Sequence, residues 1–294
     1  MTFSGLFNNT LLPQDKLFGR RVSANINGVA YEGLRTAFKV EKWLQGKPGN
    51  AEITIWNLST ESRKKLQGKG LPVYLQAGYQ SNFAQIFFGQ SRTISHVKEK
   101  ADWVTKITAG DGETAIRSSR AVISHTKNTP ILTVIKDIAS KTGLDLGNIE
   151  TAVKALPGNQ TQTPNGISDS GPAYNMLQKY LDTLGYLVSV QDGNLQVLPH
   201  AQVNTPLVTA QTTAVPLSQT SGMIGSPEIC EKGTDKKQVL KVKSLVQPKF
   251  FPGCLVIVDS VNVKGQFRVE KVTHHGDLYE TQFYSDLELR AVNS

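Results

Sequence analysis

The chain has 294 residues, of which 39% are hydrophobic and 19% charged, so it can bury the cores of about two domains and is not disordered throughout. No run of 18 apolar residues occurs, and the first ten residues lack the basic and apolar regions of a secretory signal, so the sequence predicts neither a membrane span nor secretion. The net charge of +8 is uneven, with +9 on residues 1–127 and −1 on residues 128–294. A basic half favours nucleic acid or an acidic protein partner, but the basic residues are scattered and only Arg63–Lys65 forms a run. We therefore do not expect direct nucleic-acid recognition.

The first part of the chain, up to about residue 127, reads as β-strands joined by tight turns. Its most informative segment is residues 37–66, where a strand runs into a turn at Gly46–Asn50 and a second strand covers Ala51–Leu58. Ser59 can then cap a short helix. Further strands, in a pattern typical of a barrel or sandwich, are predicted at Arg20–Asn25, at Val29–Tyr31 after the Asn27-Gly28 hairpin signal, and at Val73–Tyr79, Gln85–Val97 and Asp102–Ala109.

In residues 128–200 the apolar residues recur at helical spacing, which predicts a small α+β insert. Thr129 and Pro130 suit the start of a helix that closes at Gly143, and a second helix is predicted from Ser170–Pro172 to Gly185. The polar segment Pro157–Asp169 between them is predicted to be a mobile loop. The apolar faces comprise Ile131, Val134, Ile135, Ile138 and Ala139 in the first helix and Met176, Leu177, Tyr180, Leu181 and Leu184 in the second, and Asp192-Gly193-Asn194 predicts a hairpin of Tyr186–Val190 with Leu195–Leu198.

Residues 201–294 return to a β pattern, so the predicted order is a β-domain (1–127), an α+β insert (128–200) and a second β-domain (201–294). Cys230 and Cys254 form no recognisable pattern, which favours free thiols and leaves a disulfide open. Strands are predicted at Pro206–Val215, Gln238–Leu245, Leu255–Val258, Gly265–Val269 and Tyr279–Asp286, with a polar connection at Glu231–Asp235 and a turn at Pro252-Gly253.

The sequence offers only weak candidates for a catalytic or metal site. His274-His275-Gly276-Asp277 comes closest, but adjacent histidines on a strand face opposite sides, so at most two ligands share a side where a structural zinc site needs four. Gly110–Glu113 lacks the calcium-loop pattern and predicts a tight turn, and Gly68–Gly70 lacks the rest of a phosphate loop. We therefore predict no catalytic residue, metal or cofactor. The isolated His96, His125 and His200 are expected to be surface or hydrogen-bonded residues, and Trp43, Trp56 and Trp103 core or interface anchors.

Several of these segments, taken in order, resemble the central hub proteins of phage tail baseplates. Ala51–Ser59 resembles the N-terminal barrel of those proteins. The segments that follow in the same order are Gly110–Glu113 with Ile116 and Arg117, the Thr129-Pro130 helix ending at Gly143-Leu144, the Tyr174–Gly185 helix, Asp192–Pro199, Phe250–Gly253, Gly265–Val269, and His274 and His275 with Asp277. Each is a weak motif alone, and their order is more specific.

The resemblance implies a mainly β fold in which two tube-type β-barrel domains flank a small helical subdomain, as in the hub part of the type VI secretion spike protein. It implies a homotrimer whose six barrels form a pseudo-sixfold ring, which adapts the sixfold tail tube to the threefold central spike. The implied partners are the tail tube, central spike, baseplate wedge and tape-measure proteins, with transient, non-specific contact to passing DNA. The chain is shorter than relatives that carry a spike or lysozyme-like domain, so another protein is expected to pierce the membrane. The implied location is the virion tail, after synthesis in the bacterial cytoplasm.

The resemblance thus predicts a structural function whose site is an interface. Ile53, Ile55 and Trp56 lie on a strand expected to line or support the ring, and Arg63, Lys64 and Lys65 could meet an acidic partner. Three alternatives stay open. They are a distal or hub protein of a non-contractile tail, a cell-wall glycan hydrolase with a carboxylate pair, and a carbohydrate-binding module that uses the tryptophans.

Overall fold

The structure is a computed structural model that describes residues 17–45, 47–156, 162–163, 165–199, 214–232 and 237–291. Within these ranges the prediction of a mainly β chain with a small helical insert is confirmed. His200, most of the predicted Pro206–Val215 strand and part of the predicted Pro157–Asp169 loop lie outside the described residues.

The strands and helices alternate in a β-rich, then mixed, then β-rich order. The strands are β1 (Arg20–Ile26), β2 (Val29–Tyr31), β3 (Thr36–Trp43), β4 (Asn50–Trp56), β5 (Pro72–Tyr79), β6 (Ala84–Glu99), β7 (Asp102–Gly110), β8 (Arg120–His125), β9 (Ile167–Pro172), β10 (Tyr186–Gln191), β11 (Asn194–Pro199), β12 (Val215–Ser218), β13 (Met223–Lys232), β14 (Lys237–Leu245), β15 (Leu255–Asp259), β16 (Lys264–Asp277) and β17 (Phe283–Ala291). The helices are α1 (Thr60–Lys65), α2 (Glu113–Ser118), α3 (Ile131–Ser140), α4 (Ile149–Lys154) and α5 (Ala173–Thr183).

One 13-stranded sheet joins the first and last parts of the chain. Its strand order is β13-β14-β17-β16-β3-β4-β7-β6-β5-β1-β2, with β15 attached to β16 and β12 to β15. The two β-rich parts meet where β3 pairs antiparallel with β16, from Ala37 opposite Asp277 to Trp43 opposite Lys271. Buried and partly exposed residues alternate along β3, and the register sets Phe38 and Val40 beside the buried Gly276 and His274 of β16.

The N-terminal strands enclose an apolar core. Phe38 and Val40 of β3 point into it together with Ile53 and Ile55 of β4. The predicted hairpin between β1 and β2 is confirmed, because Asn27 and Gly28 both adopt the positive φ angles that a tight hairpin turn requires. Ser59 caps α1 as predicted, since its hydroxyl accepts a hydrogen bond from the Ser62 backbone at 3.1 Å.

The insert packs α3, α4 and α5 against two small two-stranded sheets, β8–β9 and β10–β11. The predicted apolar faces of both long helices lie in its core, and β10 pairs with β11 across Asp192-Gly193 as predicted. The prediction of a helix start at Ser170–Pro172 is wrong, because these residues end β9, which pairs with β8, and α5 begins at Ala173. The loop prediction is wrong for Ile167–Asp169 for the same reason.

The C-terminal strands form a third core around Phe250, Val256 and Leu287. The predicted strand Tyr279–Asp286 is wrong in its first half. The backbone N–H of Asp277 donates to the Gln282 carbonyl at 2.8 Å, which closes a turn between β16 and β17, and β17 starts at Phe283. Glu231 belongs to β13, not to a polar connection, while Gly233–Asp235 lie outside the described residues.

Candidate functional site

One face of the long sheet is covered by the cores, and the opposite face carries charged and hydroxyl side chains. We call the second surface the polar face. On β3, Phe38 and Val40 are buried whereas Lys39 and Glu41 remain partly exposed. The strand registers align the polar residues in rows across the sheet. One row runs Lys243, Asp286, Thr273, Glu41, and the next runs Tyr284, His275, Lys39, Glu52, Thr108, Thr93.

A groove of about 700 Å³ lies on the polar face where β3, β13, β14, β16 and β17 meet. Ion pairs span its floor, and Glu41 takes part in two of them, with Lys271 at 3.4 Å and Lys39 at 3.5 Å. Asp286 lies 3.9 Å from Lys243 Nζ and 3.4 Å from His275 Nε2. The four lysines of the groove are Lys39, Lys241, Lys243 and Lys271, and its four carboxylates are Glu41, Glu228, Asp286 and Glu288.

Several strand edges are unpaired in the part of the chain that the structure describes. Those of β2 and β12 in the long sheet are three and four residues long, and two longer ones lie on β13 and β6. β13 pairs with β14 along one edge and leaves the other open. β6 pairs with β5 only up to Gln90, so residues Thr93–Glu99 pair with β7 alone. Apolar side chains stand exposed on both, with Ile229 65% and Val97 44% accessible. Open edges of this kind are templates for pairing with another chain.

The six residues predicted to form an interface do not form one surface. Ile53 and Ile55 are 1% and 0% exposed and lie in the N-terminal core, so they support β4 from inside. Lys64 is exposed on α1, where Lys65 pairs with Glu61 at 2.8 Å. Trp56 and Arg63 lie near the end of β4.

At that end of β4 two tryptophans are each covered by an arginine. The Arg35 guanidinium lies 4.4 Å from the Trp56 ring centroid, and that of Arg63 lies 4.0 Å from the centroid of Trp103. Arg63 is held in place because it donates to the Leu58 carbonyl at 2.9 Å. Sequence reasoning missed Arg35, and only its spacing before β3 could have indicated a position beside Trp56.

The two adjacent histidines of β16 face opposite sides, as predicted. His274 is fully buried and bonds the Ser285 hydroxyl at 2.7 Å, and burial lowers its pKa to about 3. His275 lies on the polar face, and Asp277 instead pairs with Arg35 at 2.8 Å. Among the described residues no group of three or more His, Cys, Asp and Glu side chains could hold a metal ion.

The insert is held on the N-terminal strands by a buried ionic cluster, the insert latch, formed by Lys42, Asp111 and Asp192. Lys42 Nζ lies 2.7 Å from both carboxylate oxygens of Asp192, and the lysine side chain is 3% exposed. Asp111 accepts hydrogen bonds from the backbone N–H groups of Asp192 at 2.6 Å and Gly193 at 3.0 Å. The sequence predicts the two turns that carry these aspartates but not that they meet.

Asp111 gives the insert latch a pH dependence. Burial raises its pKa to about 6 from the usual 3.8, with a further rise from the Asp192 carboxylate, while Lys42 and the two backbone donors oppose the shift. The folded state therefore binds more protons than the unfolded state between pH 4 and 6, so this group stabilises the fold below pH 4 and loses that contribution as the pH rises through 6. The contribution of Asp111 to the free energy of unfolding is thus about 3 kcal/mol larger below pH 4 than above pH 6.

We expect Asp111→Asn to remove this pH dependence. The measurement is the free energy of unfolding in urea from pH 4 to pH 8 for both proteins. The wild-type curve should fall relative to the variant between pH 4 and pH 6, and parallel curves would contradict the assignment.

The fold is that of phage tail proteins and type VI secretion components. It matches the 43 kDa tail protein of prophage MuSo2 from Shewanella oneidensis with a TM-score of 0.66 at 8% identity, over 93% of this chain and 98% of that one. A tail protein from Neisseria meningitidis MC58 matches with a TM-score of 0.63 at 12% identity, over 92% and 96% of the two chains. The Escherichia coli c3393 protein, a type VI secretion component, matches with a TM-score of 0.60 at 9% identity, over 92% and 77%.

The sequence itself gives the family. Residues 21–288 match the family described as baseplate hub gp41, and the chain belongs to it. No curated protein matches the sequence significantly. The predicted resemblance to baseplate hubs is confirmed, and the chain is a structural protein of a phage tail. No helix in the described ranges is long and apolar enough to cross a membrane.

Proposed function

We propose that three copies of this chain form the central hub of a phage tail baseplate, without enzymatic activity of their own. The ring adapts a sixfold tail tube to a threefold spike and leaves a passage for the genome. The observation that supports this most is the position of the two long open edges of β13 and β6. They lie at the two ends of a run of eight paired strands, β13-β14-β17-β16-β3-β4-β7-β6, and the sheet continues beyond β6 only along its other half, through β5 and β1 to β2.

The ring closes when the Thr93–Glu99 edge of one copy pairs with β13 of the next. Such a contact joins two different surfaces, so it generates a closed ring if the rotation between copies is one third of a turn. Each copy then contributes its run of eight strands from β13 to β6, which makes 24 strands around the ring. β13 has ten residues, which is long enough to take the seven-residue edge of β6. The polar face lines the passage, because the opposite face is already covered by the cores.

The proposed partners follow from this arrangement. The tail tube and spike proteins stack on the two ends of the ring, and the wedge and tape-measure proteins contact it within the virion. Trp56, Arg63, Lys64 and Lys65 lie at or beside the end of β4 and face one of these neighbours. We place the domain boundaries near residues 127 and 200, so that each β-rich part is one of the two barrels that a copy gives to the ring.

Blocking one edge should dissociate the ring without unfolding the chain. The wild type is expected at about 96 kDa, three times the 32.1 kDa chain mass. Val97→Lys places a charge on the exposed β6 edge and should shift the mass to that of one chain, because edge lysines oppose strand pairing. Native mass spectrometry and light scattering measure this.

The matched control is Val122→Lys, which adds the same charge at a 77% exposed position on β8 and should leave the mass unchanged. A wild-type chain that stays monomeric at all concentrations and in isolated tails would overturn the proposal. So would a Val97→Lys protein that remains a trimer together with an Ile229→Lys protein that does the same.

A further inference from the structure

We propose that the lysines of the polar face are paired with carboxylates so that duplex DNA passes along this surface without binding to it. The inference rests on the proposed function in one respect, since it takes the polar face as the surface that meets the passing genome. It goes further by assigning a task to the carboxylates of this face, which is to occupy its lysines.

The charge balance of the groove on the polar face differs from that of the whole chain. The groove has four lysines and four carboxylates, so its formal charge is zero. Beyond the groove, Lys106 of β7 pairs with Glu99 of β6 at 2.8 Å. The net charge of +8 therefore lies outside the groove.

Each lysine of the groove also has a carboxylate beside it. Lys39 and Lys271 share Glu41, and Lys243 lies near Asp286. Lys241 stands directly across from Glu288 on β17 and from Glu228 on β13. Opposite charges at these cross-strand positions stabilise the sheet and fix the ammonium groups in place.

Such pairing removes the main source of DNA affinity. A protein gains affinity for DNA when its lysines neutralise phosphates and release the counterions condensed there. A lysine that already has a carboxylate partner must give up that pair or bring the negative charge with it, so the gain is lost. The aromatic ring of Tyr284 is also covered, since Lys243 Nζ lies 4.3 Å from its centroid, which leaves that ring face closed to stacking bases.

The test is to free the lysines without adding any. In the triple variant Glu41→Gln/Asp286→Asn/Glu288→Gln, the three amides keep the side-chain volumes and remove the negative charges. Binding of a fluorescein-labelled random-sequence DNA duplex is followed by anisotropy over a range of salt concentrations. We expect the variant to bind at least about 10-fold more tightly than wild type at low salt, with a salt dependence steeper by about three ions.

The control variant makes the same change in charge away from the polar face. Glu61, Glu150 and Asp169 each pair with lysines on helices, so Glu61→Gln/Glu150→Gln/Asp169→Asn also frees lysines and raises the net charge equally. If this control gains as much affinity as the polar-face variant, or if the polar-face variant gains none, the inference is wrong. Should the triple variant fail to fold, Glu41→Gln alone, which frees Lys39 and Lys271, must still tighten binding.

The same samples separate this inference from the hub proposal. The mass of each sample shows whether the trimeric ring forms. The difference in DNA affinity shows whether the carboxylates of the polar face keep its lysines from binding DNA. A monomer whose variant shows the expected gain in DNA affinity supports the inference about the polar face and contradicts the trimeric hub. A trimer whose wild-type form already binds DNA as tightly as the variant contradicts the inference about the polar face and is consistent with the trimeric hub.

Discussion

Lys42→Met is expected to lower the free energy of unfolding by about 3 kcal/mol, with loss of the insert from its position as the first step of unfolding. Methionine replaces most of the buried lysine stem but leaves the carboxylate of Asp192 without its cation, next to the buried Asp111. Breaking a buried pair costs about 3–5 kcal/mol, and the lower end applies because Asp192 is 26% exposed and keeps some water. Urea unfolding followed by circular dichroism gives the value.

The matched control is Lys39→Met on the same strand. Its side chain is 44% exposed and its ion pair with Glu41 is long, so the expected change is below about 0.5 kcal/mol. The double variant Lys42→Met/Asp192→Asn should recover part of the loss, because no uncompensated charge remains. A double variant as unstable as the sum of its single changes would show that the ammonium and the carboxylate are not coupled.

Gly276→Ala is expected to destabilise the junction between the two β-rich parts by about 3 kcal/mol. Gly276 stands between Phe38 on β3 and Phe283 on β17, and those two rings meet edge to face with centroids 6.0 Å apart. An added Cβ would overlap the Phe38 ring and lie 3.0 Å from Phe283 Cδ2. Because both rings are buried, relief requires a shift of the β3–β16 pair.

Gly171→Ala provides the comparison for that experiment. Its added Cβ would meet only Met176, at an ordinary 3.8 Å, so we expect a change within about 0.5 kcal/mol. Thermal and urea unfolding measure both variants. A Gly276→Ala protein as stable as the Gly171→Ala protein would show that the junction can relax around an extra methyl group.

Local patterns in the sequence predicted the elements of the fold well. Alternation placed β3 to β7 within one or two residues of their observed bounds, and helical spacing identified the buried side of α3. These features depend on residues close together in the chain. The short helices α2 and α4 were not predicted, because six residues contain too little periodicity to stand out and neither helix has a side-chain cap like that of Ser59 on α1.

The contacts that define the candidate site depend on residues far apart, and no local pattern reports them. The insert latch joins Lys42 to Asp192 over 150 positions, and the polar face becomes one surface only when β3 meets β16. The prediction for Ile53 and Ile55 shows the same limit. Their alternation predicts a strand with one apolar face, but whether that face meets a core or a neighbour depends on the other strands of the sheet.

The pairing of β3 with β16 has a consequence for how the chain is made. Ala37 pairs with Asp277, so β3 leaves the ribosome 240 residues before its partner. At about 5–20 residues per second this leaves the β3 edge open for roughly 12–48 s of synthesis. A chain that stops before residue 264 keeps that edge open, lacks β16 and β17, and cannot carry β3 and β14 in one sheet. Only a chain that extends through β17 can therefore carry the open edges of β6 and β13 in one continuous sheet.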